Sequence, residues 1–498
     1  MIPFVVLTLI NLIAHFVPFE RAALSLDDLA RIVSSEWSLK FFLSEMCSLD
    51  YPLIVFHNLI VMTAGESPFL RVLYVFLSSS LATFMIYLLF KELLEDQAAA
   101  FLGAVLYNLL PNKLALYHTL EYTYIHLALT LYFLSFLFFL LFMKREKAAF
   151  LWGSVLCYTI AVFWYLLGFF LPGVFLAYTL LFYPKKIWKL WIYAVPAGAY
   201  LFWRSDPFGI SPADAKPYDL QLYKTVSNLY WMVPNLYAGR QMAKGVLYGL
   251  YRFSTHPMPW WPLWAILDAA VLAGFWRWLR GRALPEVSLK LVTIAVVSFF
   301  LLVAPALLTW GVMDRHTSLS SLGFVLLMLW GIARWKERQR AILMVLIGAG
   351  LVISQGTSWS QVVACRVNRA IFETLQEHKE EIRKANMVLI DQYSFSKKIP
   401  YTWIKNPNDQ MDTYWGVQGL LGRGNPFLVH WAVGEKKPVE VVRSQLKVSG
   451  TEYKISIYNP NTYSLEDTVV PRDDSVLINY DTVYSHGFRE GNRVRNPR

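Results

Sequence analysis

Residues 124–143 read YIHLALTLYFLSFLFFLLFM, without any Asp, Glu, Lys or Arg, and Lys144-Arg145-Glu146-Lys147 follows directly. A helix of about 20 residues spans the hydrocarbon core of a bilayer, and a basic cluster at its end is typical of a transmembrane segment. The whole chain shares this character, since 56% of its 498 residues are hydrophobic, 16% are charged and the mean hydropathy is +0.39. Soluble domains carry about 25% charged residues, so the sequence indicates an integral membrane protein with many helices.

Similar apolar segments recur along residues 1–356. They predict an α-helical polytopic membrane protein with about eleven transmembrane helices. The first segment has neither a basic n-region nor an obvious cleavage site, which favours a retained anchor over a removed signal peptide. The predicted spans are residues 3–18, 70–90, 97–112, 124–143, 149–170, 172–184, 188–203, 258–276, 291–310, 318–333 and 341–355.

Basic clusters between these spans predict the orientation. With this number of spans, the clusters all fall on one side, which the positive-inside rule makes cytoplasmic. They are Lys144–Lys147, Lys185–Lys186, Arg277–Arg282 and Arg334–Arg340. The loops 19–67, 113–122, 204–256 and 311–317 then lie outside a cytoplasmic (plasma) membrane, together with residues 357–498. The net charge of +11 mostly reflects this bias and favours contact with anionic headgroups over nucleic acid.

The composition changes at about residue 357, where charge rises and long apolar runs cease. Residues 366–385 are typical of an amphipathic helix, residues 385–391 of a buried strand, and the alternation at 452–458 of a further strand. The sequence therefore predicts a small C-terminal extracytoplasmic α/β or β domain over 357–498. The cysteines Cys47, Cys157 and Cys365 lack metal-binding spacing. Cys47 and Cys365 fall on the outer side, where a disulfide can form, although two free cysteines are the preferred interpretation.

Two adjacent carboxylates, Asp27 and Asp28, follow the first span and precede an amphipathic stretch, 29–46, that suits an interfacial helix anchored by Trp37. An acidic pair at the membrane surface can bind a cation or take a proton from a hydroxyl. The ordinary alternative is that Asp27, or Ser25 beside it, caps the following helix.

Other polar residues follow the predicted spans on the same side. They are Lys113, His118 and Glu121 in the second outer loop, Arg204, Tyr230 and Trp231 in the third, and Arg315 and His316 in the fourth. Cations here can hold a phosphate, and Tyr230 and Trp231 can stack on a sugar. Each has a structural alternative, such as an interfacial snorkelling arginine or an aromatic belt.

Several function classes are disfavoured. The chain has no Walker A motif, no Gly-Xaa-Ser-Xaa-Gly and no His-Glu-Xaa-Xaa-His. The spans hold few ionisable groups besides Asp268 and some histidines near their ends. Ion pumps and proton-coupled transporters place charges at mid-membrane, so this scarcity argues against such transport.

The layout resembles the GT-C superfamily of membrane glycosyltransferases, which includes protein O-mannosyltransferases and aminoarabinose transferases. The resemblance covers roughly residues 1–340 and is one of layout more than motif. The matching residues are Asp27-Asp28, Trp37, Tyr51-Pro52-Leu53, the Tyr107–Pro111 end of the third span, and Asp314-Arg315-His316. The resemblance implies a polyprenyl- or dolichyl-phosphate sugar donor, inverting transfer and a catalytic acidic residue in the first outer loop.

These features predict glycosyl transfer on the outer face to a glycan, lipid or protein acceptor. Asp27 or Asp28 is the general base, and which of the two acts is left open. Arg315, with Arg204 or Lys113, binds the donor phosphate, while His118, Glu121, His316, Tyr230 and Trp231 line the site. The scheme requires no cofactor, and a divalent metal is left open because two carboxylates can hold one. The alternatives are a transporter or flippase of lipid-linked glycans and a non-catalytic scaffold.

Overall fold

A computed structural model describes residues 2–16, 53–64, 68–110, 112, 123–205, 261–308, 317–356 and 358, together with six strands between residues 387 and 479. The chain divides into two compact units. The helices belong to the first and the strands to the second.

The first five helices include two long, apolar ones. They are α1 (Ile2–His15), α2 (Ile54–Ala64), α3 (Pro68–Leu94), α4 (Gln97–Leu109) and α5 (Thr123–Arg145). The turn between α3 and α4 is tight because Glu95 takes the left-handed conformation, with φ of 55°. Asp96 then caps α4, since its carboxylate accepts from the Ala99 N–H at 2.6 Å. The chain therefore reverses direction within two residues.

The next part of the chain is less regular. It contains α6 (Ala148–Trp164), a 3₁₀ turn (Leu166–Gly168), α7 (Leu171–Phe182), a 3₁₀ segment (Pro184–Tyr193) and α8 (Ala194–Arg204). The predicted C-terminal end of the span 149–170 is wrong, because α6 stops at Trp164. The backbone of Tyr165 is extended, and the hydroxyl of Tyr132 donates to its carbonyl at 2.6 Å. A donor from a neighbouring helix thus satisfies the carbonyl that the break leaves free.

The last helices of this unit are α9 (Trp261–Trp278), α10 (Leu289–Leu301), α11 (Ala304–Leu308), α12 (Ser321–Ala333) and α13 (Gln339–Gly356). The predicted span 291–310 is interrupted between α10 and α11. Pro305 explains the interruption, because a proline ring clashes with the carbonyl four residues earlier. Gly323 lets α12 approach α10 closely, since an added Cβ would meet the Ala295 carbonyl and lie 2.7 Å from the Phe299 nitrogen.

Length and apolarity make this a helical membrane protein. Three of the described helices offer a long, strongly apolar stretch, at Val72–Leu94, Thr123–Arg145 and Gln339–Gly356. The described part of the chain also contains shorter apolar helices, among them Ile2–His15, Ala148–Trp164 and Ser321–Ala333. The described helices overlap each of the predicted spans.

The interior of the helical unit is aromatic where α5, α6 and α7 meet. The rings of Phe139 and Phe175 stack with centroids 4.2 Å apart, and the ring of Tyr193 packs edge-on against both of them. Ser135 and Ser154 join α5 to α6, since each hydroxyl donates to the other's backbone carbonyl at 2.9 and 2.7 Å. Small residues allow this close approach of two helices, as is usual in membrane proteins.

Charged residues gather at one end of the helices. The Lys144 ammonium, at the end of α5, donates to the Glu95 carboxylate at 2.7 Å and to the Glu92 carbonyl, the last turn of α3, at 2.8 Å. Lys186 forms an ion pair with Glu146 in the turn between α5 and α6. The hydrogen bond and charge of each lysine lower the pKa of its carboxyl partner, Glu95 or Glu146.

The remaining basic clusters lie at this same end. The Arg340 guanidinium, at the start of α13, donates to the Leu279 carbonyl just after α9, at 3.4 Å. Lys290, at the start of α10, donates to the Leu181 carbonyl near the end of α7, at 3.0 Å. These contacts bring all four basic clusters to one end of the helical unit, as the sequence predicts. We call it the basic end.

The second unit contains two sheets of three strands. In the first, β1 (Met387–Asp391) lies between β2 (Leu428–His430) and β6 (Ser475–Asn479), and both pairings are parallel. In the second, β4 (Glu452–Asn459) lies between β3 (Lys447–Ser449) and β5 (Ser464–Pro471), and both pairings are antiparallel. The strands predicted at 385–391 and 452–458 coincide with β1 and β4. The helix predicted at 366–385 lies outside the described residues.

Candidate functional site

Buried polar side chains gather at the end of the helical unit opposite the basic end. Burying a polar group away from water is costly unless it is hydrogen-bonded, and polar residues inside membrane helices usually face the protein interior. The described residues place these side chains toward the ends of α1, α4 and α13, in the middle of α3 and at the beginning of α12. We call them the polar cluster: Asn11, His15, Ser79, Ser80, Thr83, Asn108, Asn112, Thr317, Ser321, Gln355 and Ser358.

The first part of the polar cluster joins α1 to α3. The Asn11 amide, on α1, donates to the hydroxyls of Ser79 and Ser80, on α3, at 2.9 Å each. An asparagine amide offers two donor hydrogens, so one side chain holds two residues of the neighbouring helix.

The second part joins α1 to α4. The His15 Nε2 lies 3.1 Å from the Asn108 carbonyl, so this nitrogen carries the proton in the contact, because a carbonyl can only accept. The Thr83 hydroxyl, on α3, donates to the Ser79 carbonyl at 2.9 Å, and its oxygen lies 3.4 Å from the Asn108 side-chain oxygen. Asn108 is therefore contacted by polar groups of two different helices.

The third part joins α4 to α12. The Asn112 amide, just beyond α4, donates to the Thr317 hydroxyl at 2.7 Å and to the Ser321 hydroxyl at 2.8 Å. The Tyr107 hydroxyl donates to the Ser318 carbonyl at 2.9 Å. The end of one helix and the beginning of another are thus fixed to each other by three hydrogen bonds.

The fourth part joins α13 to α1 and α9. The Gln355 amide donates to the Ile13 carbonyl at 3.3 Å and to the Asp268 carboxylate at 2.7 Å. The Ser358 hydroxyl donates to the His15 carbonyl at 3.1 Å. Asp268, the main acid that the sequence places in a span, is therefore half-buried and hydrogen-bonded.

Three of the predicted outer loops begin or end at the polar cluster. The segment with Asp27 and Asp28 follows α1, which ends at His15. Lys113 is the residue after Asn112, and His316 is the residue before Thr317. Since these helix ends are hydrogen-bonded to one another, the loops that carry most of the candidate residues start from one place in the fold.

Helix α2 lies within the predicted first outer loop, residues 19–67, and buries His57 and Asn58. The His57 Nδ1 lies 3.2 Å from the Tyr74 hydroxyl, and its ring meets the Tyr124 ring edge-on at 5.4 Å. The Leu53 N–H, just before the helix, donates to the Phe163 carbonyl at 3.3 Å. Helix α2 is therefore packed against neighbouring helices, and its polar residues lie on the packed side.

Of the candidate residues predicted from sequence, the structure describes Arg204. It is the last residue of α8, is half-buried and lies on a helix that packs against α6. The others lie outside the described residues, so their roles stay predictions: Asp27, Asp28, Lys113, His118, Glu121, Tyr230, Trp231, Arg315 and His316.

The sequence leaves open a metal at Asp27-Asp28 and a disulfide between Cys47 and Cys365. Within the described residues, no group of three His, Cys, Asp or Glu side chains is arranged to hold a metal ion. Cys157 is a free, buried thiol on α6. Cys47 and Cys365 lie outside the described residues, as does the Asp27-Asp28 pair.

Sequence reasoning missed the polar cluster. A signal was present, because Asn11 and His15 are four residues apart in one apolar segment, and Asn108 and Asn112 are four residues apart in another. Within a helix such a spacing puts both residues on one face, as it does for Asn11 and His15 on α1. Inside a membrane they mark a face that needs polar partners.

Neither protein-family models nor curated protein sequences give a match to the chain.

Proposed function

We propose that this protein is a membrane glycosyltransferase that moves a sugar from a polyprenyl- or dolichyl-phosphate donor to an acceptor at the outer face. The observation that carries the proposal is the polar cluster. Its hydrogen bonds between Asn112 and Thr317, and between His15 and Asn108, join the helix ends that precede or follow the loops with Asp27-Asp28, Lys113 and Arg315-His316. A transfer reaction at a single site requires acidic and basic side chains close together, and loops that start from neighbouring helix ends can bring them together.

The chemistry divides between carboxylates and cations. Asp27 or Asp28 removes the proton from the acceptor hydroxyl as it attacks the sugar, as a general base does. Arg315, with Arg204 or Lys113, holds the donor phosphate and stabilises the charge that develops on it as the glycosidic bond breaks. The lipid phosphate is the activated leaving group, so the reaction needs no energy input outside the cell. His118, Glu121, His316, Tyr230 and Trp231 line the sugar site.

The proposal includes a topology. Eleven spans in a GT-C-like arrangement cross the plasma membrane, with the basic end in the cytoplasm and the polar cluster toward the outer face. The contacts that gather the four basic clusters support this orientation through the positive-inside rule. Residues 357–498 then form an extracytoplasmic domain, in which β1–β6 lie.

Substitution of each carboxylate tests the proposal. Membranes with the expressed protein are supplied in parallel with undecaprenyl-phosphate mannose, glucose and N-acetylglucosamine, and release of undecaprenyl phosphate is measured. Asp27→Asn or Asp28→Asn is expected to lower the rate by roughly 10²-fold, the usual scale of general-base catalysis. Arg315→Ala should weaken donor use through loss of a charge-assisted phosphate contact. The control is Glu286→Gln, which neutralises an exposed carboxylate at the basic end and should leave the rate unchanged.

The outcome also separates the alternatives. Full activity in both Asp variants removes the pair from catalysis and returns it to helix capping. Movement of a lipid-linked glycan across vesicles, without sugar transfer, indicates a flippase. Neither transfer nor movement, with retained binding of an outer partner, indicates a scaffold.

A further inference from the structure

A groove of about 540 Å³ runs between α1, α4 and α9. Most of its lining is apolar, from Val6, Leu9 and Ile13 on α1 to Val271 and Phe275 on α9. Polar groups lie toward one end, where Gln97 begins α4 and Arg282 follows α9. Its volume is in the range usual for ligand sites, about 300–1,000 Å³.

The length of the groove matches one leaflet of a bilayer. Along α1 its lining extends from Ile2 to Ile13. Eleven residues of helix rise roughly 16 Å, about half of the 30 Å hydrocarbon core. The groove starts at the basic end, because Arg282 belongs to the basic cluster 277–282. From the basic end it therefore extends for about the length of an acyl chain, and it is too short for a long polyprenyl chain.

Arg282 supplies a cation at headgroup depth. Its guanidinium carbon lies 4.8 Å from the centre of the Trp278 ring, which also lines the groove. Among the described residues, Arg282 forms no ion pair with a carboxylate. An exposed guanidinium held over an aromatic ring is suited to a lipid phosphate, which it can bind with two parallel hydrogen bonds.

The protein itself leaves the groove unfilled. Gly274 on α9 lines it, and a Cβ added there would meet no atom within 4 Å. The helix thus presents bare backbone to an apolar space. In a membrane such a space is occupied by lipid, because the hydrocarbon region contains no water to fill it.

We propose that this groove binds an anionic phospholipid of the basic-end leaflet. An acyl chain lies between α1 and α9, and the lipid phosphate lies on Arg282. Arg282, which holds the phosphate, is at the opposite end of the helices from the polar cluster, and the binding of lipid does not depend on the proposed transfer reaction.

Photo-crosslinking in nanodiscs tests this site. Phosphatidylcholine discs with purified protein receive a trace of phosphatidylglycerol that carries a diazirine on one acyl chain, and labelled peptides are mapped. Labelling of α1 and α9 is expected at the groove residues. Arg282→Gln should reduce it about tenfold, the effect of losing roughly 1.4 kcal/mol of a charge-assisted contact, while Arg277→Gln, next to the groove but outside its lining, should not.

A second variant fills the groove. Gly274→Leu should abolish labelling of α1, whereas Gly198→Leu, at an exposed glycine of α8 with equally open space, should leave it intact. Unchanged labelling in both Arg282→Gln and Gly274→Leu overturns the proposal. So does equal labelling by a phosphatidylcholine probe, since charge would then play no part. Displacement by an equal amount of undecaprenyl phosphate would show that the occupant is a polyprenyl lipid instead.

Discussion

The amide Nδ2 of Asn112 lies 2.7 Å from the hydroxyl oxygen of Thr317, although 205 residues separate them in the chain. The same amide also reaches Ser321 at 2.8 Å. One side chain therefore ties the end of α4 to the beginning of α12 in the interior of a membrane protein, where few alternative partners exist.

Removal of this amide tests its importance for stability. Asn112→Ala removes two buried hydrogen bonds, to Thr317 and Ser321, so we expect a loss of about 1–3 kcal/mol. Thermal unfolding of the detergent-purified protein measures it. Thr293→Ala is the control, because that residue is exposed and its hydroxyl bonds to the Leu289 carbonyl of its own helix. Equal unfolding midpoints for the two variants would contradict the structural role of Asn112.

Close approach of α10 and α12 gives a second prediction. Gly323→Ala places a methyl group against the backbone of Ala295 and Phe299, which cannot move aside as a flexible side chain can. Overpacking of this kind costs about 1–3 kcal/mol. Gly331→Ala, in the same helix but with open space around it, should be neutral or slightly stabilising, as helical alanine usually is. If both variants unfold at the same temperature, the two helices are farther apart than the structure has them.

The ion pair between Lys144 and Glu95 predicts a pH dependence. The hydrogen bond and charge of Lys144 lower the pKa of Glu95 below its ordinary value of 4.5. A lowered folded-state pKa contributes stability that is present above pH 4.5 and is lost as the pH falls through the folded pKa. The effect is small because Glu95 is 73% exposed. Unfolding midpoints between pH 6 and pH 3 should fall less steeply for Glu95→Gln than for the wild type, and identical slopes would argue against the pair.

Cysteine labelling tests the orientation. In a background without Cys47, Cys157 and Cys365, a membrane-impermeant maleimide applied to intact cells should react at Gly450→Cys. It should not react at Lys336→Cys, whose native side chain is 75% exposed at the basic end, until the membrane is permeabilised. Labelling at residue 336 alone would reverse the topology and move the candidate carboxylates to the cytoplasm.

Much of the helical architecture could be predicted from the sequence, because apolar length and flanking charge are local properties. The segment 124–143 and its basic flank suffice to place α5 and one of its ends. The break at Tyr165 could not be predicted in the same way. Tyr165 leaves the helix because Tyr132, on a neighbouring helix, supplies a donor to its carbonyl, and that donor is set by packing.

The candidate functional site could likewise be predicted from the sequence only in part. Its acids and bases follow from residue type and from their position after the spans. The polar cluster required the structure, since nothing in the sequence pairs Asn112 with Thr317 or Asn11 with Ser79 and Ser80. The contact of His57 with Tyr74 also required the structure, because a short apolar segment gives no indication of which neighbour covers it.

The hydrogen bond between Asn112 and Thr317 also has a consequence for biosynthesis. Ribosomes add about 5–20 residues per second, so Thr317 is made roughly 10 to 40 s after Asn112, given the 205 residues between them. Throughout that interval the amide at the end of α4 must be satisfied by water, by lipid headgroups or by the insertion machinery. The helices made first are therefore in the membrane before the partners of the Asn112 amide have been synthesised. During this interval the nascent protein is most vulnerable to misassembly.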